Sequence, residues 1–339
     1  MIEQRPTRIG IMGFGRIGRQ VYELASRSDD IEVVAVADIG KPGILHYLLT
    51  AESPAGSQYT LEGNFLLNRR FTTRMMQIDS PREIPWDLFD LDMVVDCTGR
   101  FRDRESMQAH LDNGAGRVLM RTLPLDEADR IVVPGVNSEL IHKDDRILSA
   151  GSATTNALCL LLSTVEKHYD IECVSMTTIH CYTSDQSLQD YAGRDYRRSR
   201  SAAENIIPNT HEAERCMAAI MPAYSGKVMT ATLNVPVHAG CMIDTNLVIA
   251  GAEVNVDEFN EVIRKGVADY PGIMDVNDDP VVSTDILGST LSLLFDIQGT
   301  EKAGKHIIKA LGWYENLGHA ARLLDVVRLY RALDMKEAA

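Results

Sequence analysis

Along the first 150 residues, short apolar or β-branched runs alternate with stretches whose apolar residues recur every three or four positions. The runs are Arg8 to Met12, Ile31 to Ala37, Leu91 to Cys97 and Arg117 to Met120, and helical patterns lie near Ile17 to Ser26, Gly43 to Leu49 and Glu105 to Leu111. That alternation predicts an α/β fold, a mostly parallel sheet with helices on both faces, because parallel strands need long crossovers and a helix is the compact one. From about Tyr169 the apolar runs lengthen and fewer helical patterns separate them. Ile171 to Tyr182, Val228 to Val237, Cys241 to Ala250, Thr290 to Ile297 and Lys305 to Tyr314 read as strands. They predict a second domain of α+β type with a mixed or antiparallel sheet. Between Ser184 and Pro208 runs a polar, Arg-rich stretch of weak periodicity, too long for an ordinary connection and therefore a candidate functional loop. Leu317 to Leu333 carries a helical pattern.

Length agrees with two domains, since 339 residues is about twice the usual domain size. With 45% hydrophobic and 24% charged residues, the chain has ordinary globular composition, which excludes a disordered or fibrous protein. A net charge of −14 opposes binding to nucleic acid or to an anionic membrane. No apolar run approaches the roughly 20 residues that a bilayer requires, and the opening Met-Ile-Glu-Gln-Arg-Pro-Thr has no signal-like apolar stretch. The expectation is a soluble, cytoplasmic protein acting on a small molecule. Six cysteines, Cys97, Cys159, Cys173, Cys181, Cys216 and Cys241, include no C-x-x-C pair, which predicts reduced, packed thiols and no metal site.

The first chemical signal is Gly13-Phe14-Gly15-Arg16-Ile17-Gly18, which follows an apolar strand and opens a helical pattern. In that setting the glycines permit a tight turn and close approach of the backbone to a pyrophosphate at the helix N-terminus. Asp38 ends the next apolar run. Its carboxylate suits a ribose hydroxyl and repels a 2′-phosphate, so the expected cofactor is NAD, held on a Rossmann-type sheet.

Several further motifs occur in order: Arg8 through Arg19, Cys97-Thr98-Gly99-Arg100-Phe101, Thr154-Thr155-Asn156, Thr177-Thr178-Ile179-His180, Arg197-Arg198, Asn205-Ile206-Ile207-Pro208 and Trp313-Tyr314-Glu315-Asn316. Together, from about residue 8 to 335, they resemble the glyceraldehyde-3-phosphate dehydrogenase family. The resemblance implies an NAD-binding domain over residues 1–152, a catalytic and tetramerisation domain over 153–316, and a C-terminal helix over 317–335 that packs back on the first domain. It implies a homotetramer, adds Thr98 and Gly99 to the cofactor site, gives Asn316 the nicotinamide carboxamide, and sets the loop after Ser184 against a neighbouring subunit's cofactor.

The resemblance fails at the centre of the chemistry. Where the family reads Ser-x-Ala-Ser-Cys-Thr-Thr-Asn, this chain reads Ser149-Ala150-Gly151-Ser152-Ala153-Thr154-Thr155-Asn156. Ala153 thus stands at the position of the nucleophilic cysteine and cannot form a thiohemiacetal or acyl-enzyme. Cys181 follows His180 and, by strand alternation, is expected on the opposite side. Cys159 lies six residues along a helix, about 9 Å away on another face. Neither reads as a replacement. His180 matches the family's base, and its remaining use is to move a proton on a substrate oxygen; the alternative reading is a relic histidine satisfied by its neighbours. In the anion sites Ser152, Thr154, Thr183 and Asp185 fit, and Arg198 and Arg200 offer positive charge. The family's strand arginine is Asn234, however, and its Thr-Gly pair is His211-Glu212. Losing a bidentate cation and gaining a carboxylate both weaken a phosphate site, although His211 and Glu212 also read as an exposed first helical turn. His319 falls where the family has a tyrosine. Two functions remain open: an NAD-dependent oxidoreductase transferring hydride without a covalent intermediate on an altered aldehyde or alcohol, or a catalytically silent NAD-binding scaffold or sensor. A third possibility is a dehydrogenase inactivated by a cysteine-to-alanine change.

Overall fold

The alternating runs pair side by side as the pattern requires. The computed structural model describes residues 5–53, 58–183, 186–193, 195–209, 212–251 and 253–338. One compact unit comprises residues 1–132, 138–151 and 320–339, and a second comprises 133–137 and 152–319.

In chain order the first unit holds β1 (Thr7–Met12), α1 (Arg16–Ser26), β2 (Ile31–Asp38), α2 (Pro42–Glu52), β3 (Thr60–Glu62), β4 (Phe65–Leu67), β5 (Thr72–Gln77), β6 (Met93–Asp96), α3 (Arg104–Asp112), β7 (Val118–Met120), β8 (Arg130–Ile131) and β9 (Ile147–Ser149). The nine strands make one sheet in the order β3-β4-β5-β2-β1-β6-β7-β9-β8. β1 pairs in parallel with β2 and with β6. This sheet is the Rossmann-type element expected from the sequence. An antiparallel edge is added by β3 and β4, which were not legible as strands because three residues cannot display a period of two. Ile9, Ile11, Val33 and Val36 are buried in a core that also takes in Leu323, Val326, Val327 and Tyr330 from the last helix.

The second unit contains α4 (Ala153–Val165), β10 (Ile171–Cys181), β11 (Ile207–Asn209), α5 (Ala213–Ile220), β12 (Val228–Val235), β13 (Cys241–Ile249), α6 (Val256–Gly266), β14 (Met274–Asn277), β15 (Leu293–Ala303) and β16 (Ile307–Tyr314). α7 (Asn316–Ala338) follows. The second sheet is mixed, in the order β11-β12-β10-β13-β16-β15-β14. α4 is buried on every side from Thr154 to Val165, as a helix enclosed within a core should be. Its N-terminus is fixed by Ser152, whose Oγ accepts from the Thr155 N–H at 3.1 Å, a cap worth about 1 kcal/mol. The sheet register then sets the chemistry in place. His180 lies opposite Asn234 and Cys181 opposite Val235 across β10 and β12, while Cys241 lies opposite Tyr314 across β13 and β16.

Strand β15 runs past the expected end at Ile297. Its pairing with β16 breaks between Asp296 and Glu301 and resumes at Glu301 opposite Lys309. The bulge absorbs the polar Gln298-Gly299-Thr300 segment, and the ladder continues beyond it.

Candidate active site

The glycine turn of the first unit is built for a close-approaching ligand. Gly13 has φ +88°, and a Cβ there would lie 2.8 Å from the Thr98 N–H nitrogen. At Gly18 a Cβ would stand 2.1 Å from the Gly13 carbonyl oxygen, so the helix can pack on the strand only without one. Gly15 is different. It is the N-cap of α1, and nothing lies within 4 Å of a Cβ built on it. The turn is therefore open on the Gly15 face, beside the N-terminus of α1, and fits a pyrophosphate. Asp38 ends β2 and fixes the turn, since its Oδ2 accepts from the Phe14 N–H at 2.6 Å and its Oδ1 from the Gly40 N–H at 2.7 Å. Phe14 and Ile17 bury their side chains in the core and contribute to the turn through backbone; Arg16 is exposed at the start of α1. Thr98 is tied to Asp96 through its N–H and its hydroxyl, at 2.8 and 2.6 Å, and Gly99 follows at φ +63°.

In the second unit, Tyr314 joins the start of α4 to β10. Its hydroxyl is hydrogen-bonded to Thr154 Oγ1 at 2.6 Å and to Thr178 Oγ1 at 2.7 Å, and its ring meets His180 edge-on with centroids 6.4 Å apart. Complete burial drives the phenol pKa well above its ordinary value, so this hydroxyl is structural and neutral. Replacing Tyr314 by phenylalanine leaves two buried threonine hydroxyls short of a partner. A loss of about 1–3 kcal/mol is expected, measurable as a lower midpoint in urea with an unchanged slope.

His180 is half-buried, and its Nδ1 contacts the carbonyl oxygen of Cys181 at 2.6 Å. With Nδ1 as donor, the lone pair of the neutral ring sits on Nε2. Burial alone would lower the pKa of His180. Its hydrogen bonds with the Cys181 thiol and the Cys181 carbonyl outweigh burial and raise it above 6.5. The expectation that Cys181 points away from His180 is corrected here. A nitrogen of His180 and the sulfurs of Cys181 and Cys241 all lie within 4.8 Å of one another. Alternation governs regular strand, whereas Cys181 is the last residue of β10 and its carbonyl draws the imidazole round. Cys159 remains inert: it is fully buried, 3.9 Å from Met217 Sδ, with burial raising its pKa.

Asn234 is 4% exposed. Its Nδ2 donates to Gln186 Oε1 at 3.0 Å and to the Cys181 carbonyl at 3.4 Å, while Asn209 Nδ2 donates to its Oδ1 at 3.5 Å. The Thr183 N–H donates to the same Gln186 oxygen at 3.1 Å. An amide cluster thus occupies the place where sequence comparison expects an arginine. Gln186, a residue the sequence reading missed, is also buried, and among the described residues its Nε2 has no partner. A buried donor of this kind costs about 1–3 kcal/mol unless a ligand accepts from it. Its only sequence signal was membership of the polar stretch beginning at Ser184.

The remaining site candidates are dispersed. Arg200 donates to Asp190 at 3.0 Å, so its charge is balanced within the loop, and the Arg198 N–H donates to Asp195 Oδ1 at 2.9 Å. Glu212 is the N-cap residue of α5 and stands 4.0 Å from Arg215. Asn316 opens α7, and His319, in that helix's first turn, is buried. Asp185 and His211 lie outside the described residues.

A parallel sheet whose first strand runs through an open glycine turn into a helix defines a Rossmann-type dinucleotide-binding fold. The family model for the NAD binding domain of glyceraldehyde 3-phosphate dehydrogenase matches residues 7–104, and that for its C-terminal domain matches residues 152–316. The chain is 38% identical to glyceraldehyde-3-phosphate dehydrogenase of Kitasatospora aureofaciens over 96% of this chain and 99% of that one, and 34% identical to that of Geobacillus stearothermophilus over 94% and 96%. It belongs to the glyceraldehyde-3-phosphate dehydrogenase family, and its cofactor is NAD.

Proposed function

We propose that this chain is an NAD-dependent oxidoreductase that moves hydride without an enzyme-bound covalent intermediate, on an aldehyde hydrate or alcohol that carries no phosphate. The observation that carries the reading is the pairing of a fixed, proton-accepting His180 with Ala153 at the first position of α4. The chain keeps a base at the corner that Tyr314 builds and has no thiol at the first position of the helix. Bound NAD supplies the hydride acceptor. His180 holds its lone pair on Nε2 for a substrate hydroxyl, because the Cys181 carbonyl fixes the other nitrogen. A substrate with its own carbinol C–H and hydroxyl needs nothing more from the enzyme.

Neutral amides set the specificity. Asn234 is committed to Gln186, Cys181 and Asn209, and the Gln186 Nε2 is the donor left for a substrate oxygen. A carboxamide lacks the charge and bidentate fork that select phosphate. The family resemblance adds a homotetramer in which residues 186–193 and 195–206 meet a neighbouring subunit. No helix among the described residues is long and apolar enough to cross a membrane.

Substrate pairs that share a carbon skeleton and differ only in a phosphate test the specificity, the unphosphorylated member being reduced or oxidised at the higher kcat/KM. The pH dependence tests the base. The active form of His180 is neutral, and its surroundings raise its pKa. Activity should therefore fall on acidification with a midpoint above 6.5, the ordinary value. A midpoint at or below that value assigns proton acceptance elsewhere.

A further inference from the structure

We propose that His180, Cys181 and Cys241 form a binding site for one zinc ion, with three protein ligands and a fourth position open. The three donor atoms come from the ends of two neighbouring strands and lie within 4.8 Å of one another. The two sulfurs are 3.5 Å apart. Two thiolates bound at about 2.3 Å to one tetrahedral zinc stand about 3.8 Å from each other, so the site closes on the ion with a shift of a few tenths of an ångström. The donor set is soft and nitrogen-containing, which favours zinc over magnesium or calcium. Three protein ligands with one vacant position is the arrangement zinc adopts where it also meets a small molecule.

The surroundings prepare the ligands. Both sulfurs are buried, at 2% and 4% exposure, and His180 is the more accessible member, so an ion enters past the imidazole. The thiol of Cys181 and its backbone N–H, 3.4 Å away, both face Cys241 Sγ. The Cys181 carbonyl orients the histidine as a second-shell acceptor does at metal sites. A neutral imidazole has one lone pair, so metal occupancy and proton acceptance by His180 exclude each other. The site itself does not depend on hydride transfer.

The test uses the metal-free, reduced full-length protein in competition with a chromophoric chelator for zinc. One zinc per chain is expected, with affinity falling about 100-fold or more in Cys181→Ser and in Cys241→Ser. Cys173→Ser, which removes the exposed thiol elsewhere on β10, should bind as the unaltered chain does. Thermal unfolding reports whether each variant is folded. Cobalt added to the unaltered protein gives an independent readout, since two thiolate ligands produce sulfur-to-cobalt charge-transfer absorption. The proposal is overturned by no zinc uptake, by absence of that absorption, or by uptake that both serine variants retain. It is equally overturned by a Cys181–Cys241 disulfide that survives the reductant. None of these readouts requires turnover, so they fail or succeed separately from the hydride-transfer reading.

Discussion

Exchanging His180 for asparagine should lower kcat by about 10²–10⁴-fold, the usual contribution of a positioned general base, while NAD binding is unchanged. Asparagine can still donate to the Cys181 carbonyl that holds the histidine, but it accepts no proton at neutral pH. Because the lost interaction belongs to the transition state, the deficit should appear in kcat and kcat/KM together and leave KM largely in place. Steady-state kinetics on the best substrate, beside a fluorescence titration with NAD, separates the two effects. Equal turnover by the variant would remove His180 from the chemistry.

Two alanine substitutions in one turn should have opposite signatures. Gly18→Ala places a methyl 2.1 Å from the Gly13 carbonyl oxygen. That oxygen is backbone and cannot yield without opening the turn, so a loss of at least about 3 kcal/mol is expected, with NAD binding lost alongside it. Gly15→Ala meets nothing within 4 Å. Its fold should stay within about 1 kcal/mol of the parent, yet its NAD affinity should drop tenfold or more, because the methyl fills the face through which backbone approaches the pyrophosphate. Denaturation curves and NAD titrations of both variants check the pair. A Gly15→Ala chain that binds NAD normally would place the dinucleotide elsewhere.

The glycine turn was legible because its physics is local: a strand, three glycines, a helix and a terminal acid within a few dozen residues. The parallel strands were legible because both their faces are buried, which writes continuous apolar runs such as Ile31 to Ala37. α6 carried an overlooked signature, with Asn255 capping the Glu258 N–H, acids in its first turn, and Arg264 and Lys265 in its last. Its apolar residues are few, so a search for hydrophobic runs passed over it. What composition and spacing could not contain is register. Cys181 and Cys241 are sixty positions apart in sequence, and only the pairing of β10 with β13, ending at Ile179 opposite Met242, brings their sulfurs to His180. Gln186 was hidden for a related reason. Its role comes from Asn234, which approaches this loop residue from β12.

The central claim is hydride transfer by a chain that forms no covalent bond to its substrate. Its most direct test is intact-mass measurement on protein quenched while it forms NADH from an aldehyde of a mixed aldehyde and alcohol panel. The account predicts NADH formation that is indifferent to inorganic phosphate, with every protein molecule at its unmodified mass. An acyl adduct on Cys181 or Cys241, or NAD bound with no compound oxidised, would contradict it.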